Sequence, residues 1–325
     1  MDFRTELSIS PGAPRINHST RILTLGSCFA NVMGDKLYSN KFSVSINPFG
    51  VLFNPISIFK LMEASAKREN LFLDSLVENN GIWYNYDLHS DLSAPSKQTL
   101  QNKISHTLSA VSDYIQSADI ITLTFGTAFV YKLAQTGKVV ANCHKVPASN
   151  FKKELLDNHN IANEFAAVYT LLLKINPQVK VILTVSPVRH IKGGLEQNSL
   201  SKSILRNACH TIQEKFPEVA YFPSYEIMMD DLRDYRFYKE DMIHPTEVAE
   251  NYIWGKFTEK YLEPNSQSLI KEWQAIRKAI EHKPFHPESS AHQKFIKETI
   301  GKLEKLSTVL NVQEEIKELK ERIIS

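Results

Sequence analysis

Leu25-Gly26-Ser27-Cys28-Phe29-Ala30 is the stretch on which the reading of this chain turns. An apolar run over residues 22–25 precedes it and reads as a buried strand. A helical pattern follows at once, through Asn31, Met33, Leu37 and Tyr38. A strand that bends into a helix at a Gly-Ser pair presents the serine hydroxyl at the strand's carboxyl edge. It also aims the first free N–H groups of the helix at whatever sits there. That arrangement suits a nucleophile with part of an oxyanion hole built in. The same residues also fit a plain capped turn, with Ser27 as N-cap and Gly26 for the bend.

Asp241-Met242-Ile243-His244-Pro245, before a helical pattern over 246–261, narrows the choice. An aspartate three residues before a histidine can turn back and accept the Nδ1 proton. Nε2 is then free to take a proton from a serine, the base-and-orienter half of a triad. Pro245 suits the start of a helix, which puts His244 at a loop-to-helix junction.

Apolar runs at 22–25, 42–46, 120–125, 179–185 and 219–222 read as five strands. Helical patterns at 30–38, 56–67, 99–117, 150–174 and 197–215 separate them. This alternation predicts an α/β fold of three layers, a parallel five-stranded flavodoxin-like sheet covered on both faces. Active residues of such sheets gather at the carboxyl ends of the strands. Ser27, Asn47, Gly126, Ser186 and Arg189 fall there. Two detours leave the same edge. Segments 71–77 and 82–86 around Asn79-Asn80-Gly81 read as one hairpin, and 129–134 and 138–142 around Thr136-Gly137 as another. Both could wall a pocket or decorate the surface.

Taken together, these motifs resemble the SGNH hydrolase superfamily, also called GDSL-type esterases. The run Gly26-Ser27-Cys28-Phe29-Ala30 spells one branch, the GSCFA family. Asn47-Pro48-Phe49-Gly50, Asn54-Pro55, Thr124-Phe125-Gly126-Thr127, Asn142-Cys143-His144-Lys145, Ser186-Pro187-Val188-Arg189-His190 and Asp234-Tyr235-Arg236-Phe237-Tyr238 agree in order. The resemblance implies a serine esterase with Ser27 as nucleophile, His244 as base and Asp241 as its orienter. It implies an oxyanion hole from Ser27 N–H and a glycine after the second strand, for which Gly50 is the nearest match and Asn47 a side-chain competitor. A third-strand asparagine completes the hole in the superfamily. Here the positions read Gly126-Thr127-Ala128-Phe129, so that asparagine is missing. Asn47, Asn142 and Thr127 are the candidate replacements, Asn47 first. Asn142, His144, Arg189, His190 and Thr127 are the expected substrate-side residues. Arg189 would pair either with a substrate anion or with an internal carboxylate such as Asp241. The expected reaction is hydrolysis of a short acyl ester, possibly on a carbohydrate. Acyl transfer, or a binding module that kept the fold, are the alternatives.

The remaining features bound the class. Net charge is +2, with 42% hydrophobic and 23% charged residues, which gives no reason to expect nucleic acid as a partner. No apolar run reaches membrane-spanning length, and no basic and apolar leader opens the chain, so a cytoplasmic protein is expected. Cys28, Cys143 and Cys209 are too few and too scattered for a disulfide framework or a metal site, and no cofactor is expected. Cys28 reads as a small buried hydrophobe rather than a thiol nucleophile. From Ser266 the pattern is wholly helical, with apolar faces at 269–280, 296–310 and 312–323. A domain at 1–265 and a C-terminal helical extension at 266–325 are expected, the latter packed on the domain or on a second copy of the chain.

Overall fold

Alternation of side chains along the strands decides the layers. The computed structural model describes residues 5–69 and 75–323. Its first half comprises β1 (Arg21–Gly26), α1 (Cys28–Ser39), β2 (Ser43–Ile46), α2 (Pro55–Lys67), β3 (Leu76–Asn79), β4 (Ile82–Asn85), α3 (Lys97–Ile115), β5 (Ile120–Phe125), β6 (Phe129–Leu133), β7 (Val139–Val140) and β8 (Phe151–Leu155). Then follow α4 (Asn158–Ile175), β9 (Lys180–Val185), α5 (Leu195–Lys215), β10 (Ala220–Phe222), α6 (Ser224–Glu226), α7 (Glu247–Tyr261), α8 (Pro264–Glu281), α9 (Ser290–Leu306) and α10 (Gln313–Glu321). The central sheet is parallel throughout, in the order β10-β9-β5-β1-β2, as the apolar runs predict.

Leu23, Leu25, Ile121, Leu123, Val181 and Leu183 point to one face, where they bury the inner sides of α2, α3, α4 and α5. Ile22, Ile120, Ile182 and Phe222 point to the other, against α1 and α7. Each fully buried side chain of this kind stabilises the fold by about 1.5–3 kcal/mol relative to exposure. Five parallel strands thus bring β1, β2, β5 and β9 to one carboxyl edge, with the site residues just beyond it.

The first detour is the expected hairpin of β3 and β4, with Asn80 and Gly81 both at positive φ, as a two-residue turn requires. Residues 71–74 of its expected first strand lie outside the described residues. The second expected hairpin also forms, as β6 and β7, but it gains a third strand. Residues 150–174 do not form one helix: 151–155 make β8, which pairs antiparallel with β6 and completes a three-stranded sheet β7-β6-β8. Lys152, Lys153 and Glu154 are good helix formers, but pairing with β6 overrides that local preference. Helix α4 starts only after Asp157, whose side chain caps Asn160 N–H.

α8, α9 and α10 build a small core of their own from Trp273, Ile276, Ile280, Ile296, Ile300, Leu303, Ile316 and Leu319. It docks on the C-terminal end of α1. Trp273 Nε1–H donates to Ser39 O at 2.7 Å, and Lys41 pairs with Glu315 and lies over the Trp273 ring. Ser27 stands at the opposite end of α1. Removing the chain after Pro287 strips α9 and α10 from Trp273, Ile276 and Ile280. We expect that truncation to lower the melting temperature or change the sedimentation coefficient while leaving Ser27 chemistry in place. Intact folding with lost Ser27 reactivity would overturn this division of roles. Among the described residues no helix is long and apolar enough to cross a membrane.

Candidate active site

β1 ends in Gly26 at φ +138°, where a Cβ would stand 2.2 Å from Thr124 O. Only glycine lets β1 and β5 stay paired through this point. Ser27 follows as the N-cap of α1, fully buried, with Oγ accepting from Phe29 N–H at 3.4 Å. Its own N–H donates to Thr124 O at 3.0 Å, so the expected oxyanion role of this N–H is not available in this geometry.

Asn47 sits just past β2 at φ +38°. Its Oδ1 accepts Gly26 N–H at 2.8 Å, and its Nδ2 donates to Asn31 Oδ1 at 2.5 Å and toward Ser27 O at 3.5 Å. Both ends of the amide are committed to holding the Gly26–Ser27 turn, which corrects its expected place in the oxyanion hole. Gly50 N–H is likewise used, on Asn47 O at 2.7 Å. Gly50 is needed for space: at φ +74° an added Cβ would lie 2.3 Å from His89 Cβ.

Asp241 and His244 meet as the spacing predicts. Asp241 Oδ2 accepts from His244 Nδ1 at 2.6 Å, while Oδ1 accepts the N–H groups of Ile243 and His244. The backbone and ring N–H groups of His244, then Ile243 N–H, hold the Asp241 carboxyl well below the usual carboxylate range. No bond among the described residues engages His244 Nε2, and none joins His244 to Ser27. The expected Ser27–His244 hydrogen bond is therefore not formed; Ser27 Oγ is turned to the helix N-terminus instead.

Arg189 braces this loop. Its N–H donates to Ile243 O and its guanidinium to Met242 O, and the guanidinium lies 3.8 Å from the Tyr238 ring centroid. It pairs with carbonyls rather than with Asp241. His144 is also structural: Nε2 meets Asn85 O at 2.7 Å, Nδ1 meets Ser90 Oγ at 3.0 Å, and the ring stacks on Tyr84. Burial pushes its imidazole down. It ties the first hairpin to the second detour and stands behind the site.

Thr127, Asn142, Arg189 and His190 do share one wall. They line a cavity of about 550 Å³ with Phe53, Phe129, Tyr131, Phe151, Lys153 and Ile243. Thr127 and Asn142 have partners already. Thr127 Oγ1 bonds Ser201 Oγ and Phe129 N–H, and Asn142 bonds His144 N–H and Ser90 Oγ. Ala128 is buried, with its N–H on Ser201 Oγ.

The sequence reading missed Lys202. Fully buried on α5, it donates from Nζ to Gly126 O at 2.7 Å and Ser186 O at 2.6 Å, clasping the ends of β5 and β9. Burial pushes its pKa down to about 7. The signal was present: Lys202, Leu205, Cys209 and Ile212 recur on one buried helical stripe. Burial pushes the Cys28 thiol up, which disfavours a thiolate nucleophile beside Ser27. Among the described residues no three His, Cys, Asp or Glu side chains cluster as metal ligands.

A family model described as the GSCFA family matches residues 21–257, nearly the whole sheet and its helices. The chain belongs to the GSCFA family. A second model, the C-terminal domain of GSCFA domain proteins, matches 273–325, the helices that build the separate small core. No curated protein matches this GSCFA chain. Solved structures similar to it include a candidate acylhydrolase from Bacteroides fragilis, 11% identical, covering 80% of this chain and 91% of that one, TM-score 0.39. An acetyl esterase variant with acetate is 11% identical over 78% and 99%, TM-score 0.36. A carbohydrate esterase from Talaromyces cellulolyticus is 12% identical over 78% and 99%, TM-score 0.29. Likenesses this weak do not assign a reaction.

Proposed function

We propose that this GSCFA protein is a serine-dependent acyl ester hydrolase. The Asp241–His244 pair, bonded at 2.6 Å with Nε2 uncommitted, carries the reading. The reaction requires Ser27 Oγ to leave Phe29 N–H for His244 Nε2 when substrate binds; such contacts are often loose without substrate. His244 takes the hydroxyl proton as Oγ adds to the ester carbonyl. Collapse of the tetrahedral intermediate expels the alcohol, which receives that proton, and leaves an acyl-enzyme for water to release.

The cavity suits a small ester. Its volume lies in the range of small-molecule sites, and Phe53, Phe129, Tyr131 and Phe151 line it with aromatic surface that a short acyl group or a sugar ring could contact. Acyl transfer would use the same acyl-enzyme with another alcohol in place of water. A binding module is favoured by one observation: Ser27 is fully buried, with Oγ on Phe29 N–H.

Fluorophosphonate labelling of the full-length protein separates the two. Mass spectrometry should find the adduct on Ser27, and Ser27→Ala should remain unlabelled while keeping its melting temperature. A protein that takes no label, or takes it on another residue, is not a Ser27 hydrolase.

A further inference from the structure

The superfamily's third-strand asparagine is absent here, and each side chain expected to replace it is already committed. Asn47 holds Gly26 N–H, Asn31 and Ser27 O. Asn142 is tied to His144 and Ser90, and Thr127 to Ser201 and Phe129. Among the described residues, His190 Nε2 is buried beside Gly126 with no hydrogen-bond partner. We propose that His190 Nε2–H replaces the missing asparagine, donating a hydrogen bond to the oxyanion formed when Ser27 adds to the ester carbonyl. The inference rests on the hydrolase reading above.

Its place is fixed by Gly126. The point where a Cβ would sit on Gly126 is 2.9 Å from Phe53 O, 3.1 Å from His190 Nε2 and 3.2 Å from Ser27 Cβ. The absence of a side chain at Gly126 therefore lets Ser27 and the His190 imidazole approach one another closely beside Phe53 O, a carbonyl already bonded to Gly126 N–H and Thr127 N–H. Two contacts place His190 there, the first through its backbone. His190 N–H donates to Asn198 Oδ1 at 2.8 Å, and the ring meets Phe53 edge to face at 5.2 Å. It also lines the cavity where a substrate would lie.

The environment suits a donor rather than a base. Burial, then the charges of Lys202 and His244, push the imidazole down to about 3. It stays neutral at working pH, so it can donate through Nε2–H but is a poor proton acceptor. Ser27 Oγ gives its proton to His244 Nε2, and the carbonyl π pair moves onto oxygen. His190 Nε2–H bonds that oxygen without losing its proton, and the pair returns as the alcohol leaves with the proton from His244. A preorganised donor in a dry site favours this charge without reorganising.

The test compares p-nitrophenyl acetate turnover by the full-length protein, Ser27→Ala, His190→Phe and His190→Gln. His190→Phe should lower kcat on the order of 10²- to 10³-fold with KM little changed. His190→Gln, whose amide can donate from a similar position, should recover part of the loss without shifting the pH profile. Melting curves confirm that each variant folds. Nitrogen-15 spectra of the wild type should show His190 neutral with the proton on Nε2. An Nδ1–H tautomer, or wild-type kcat in His190→Phe with turnover still dependent on Ser27, overturns this donor alone. Turnover that survives Ser27→Ala removes the hydrolase reading together with it.

Discussion

Asp241→Asn should cut ester turnover on the order of ten-thousandfold, as loss of the orienting carboxylate does in serine triads, and barely move the melting temperature. The carboxylate accepts from His244 Nδ1 at 2.6 Å, and under the proposed hydrolase reading this would keep the Nε2 lone pair free for the Ser27 proton. An amide at this position can turn its NH2 to Nδ1, which stabilises the tautomer that carries its proton on Nε2 and cannot act as base. Stability should change little because the pair is well exposed, about 44% for Asp241 and 42% for His244. The sign in pH is also set. The folded Asp241 carboxyl titrates below its ordinary value of 3.8, so its small stabilising effect is present above that value and fades only as pH falls further. Turnover by Asp241→Asn within tenfold of wild type would remove His244 from the role of base.

Lys202→Met should cost about 3 kcal/mol of folding stability, measured by denaturant titration near pH 10, because two buried carbonyls lose their donor at once. Methionine fills much of the same space, so the loss reports the bonds to Gly126 O and Ser186 O more than a cavity. The pH dependence separates this from ordinary packing. The folded ammonium titrates near 7 and the unfolded one near 10.5, so between these values the unfolded chain holds more protons. Stability attributable to Lys202 therefore rises with pH across that window and levels off below about 7, where both states are protonated. Wild type minus Lys202→Met should show this upward slope. A flat difference between pH 7 and 10 would mean that the buried amine is not depressed.

What could be read from the sequence was what is local or periodic. The five strands follow from short apolar runs, and the Asp241–His244 bond from a three-residue spacing that one turn of loop can close. What escaped depends on partners far along the chain. β8 reads as helix until β6 pairs with it. Asn47 resembles a free amide until Gly26, 21 residues away, claims its oxygen. His144 looks like a pocket residue until Asn85 and Ser90 enclose it. Lys202 looks like solvent-facing charge unless its helical register is counted against Leu205 and Cys209.

β6, β7 and β8 leave the central sheet after Phe125 and return to it before α4, as one uninterrupted excursion of the chain. Phe129, Tyr131, Val140, Phe151 and Lys153, a large share of the cavity wall, come from that excursion, whereas Ser27, Asp241 and His244 come from outside it. Under the hydrolase reading, a large share of what would select a molecule is thus encoded apart from Ser27, Asp241 and His244, while Phe53, Arg189, His190 and Ile243 complete the wall from outside the excursion. Lengthening, shortening or exchanging one continuous cassette can reshape much of the pocket wall without altering Ser27, His244 or Asp241. In such an arrangement selectivity can drift quickly while the chemistry is handed down unchanged.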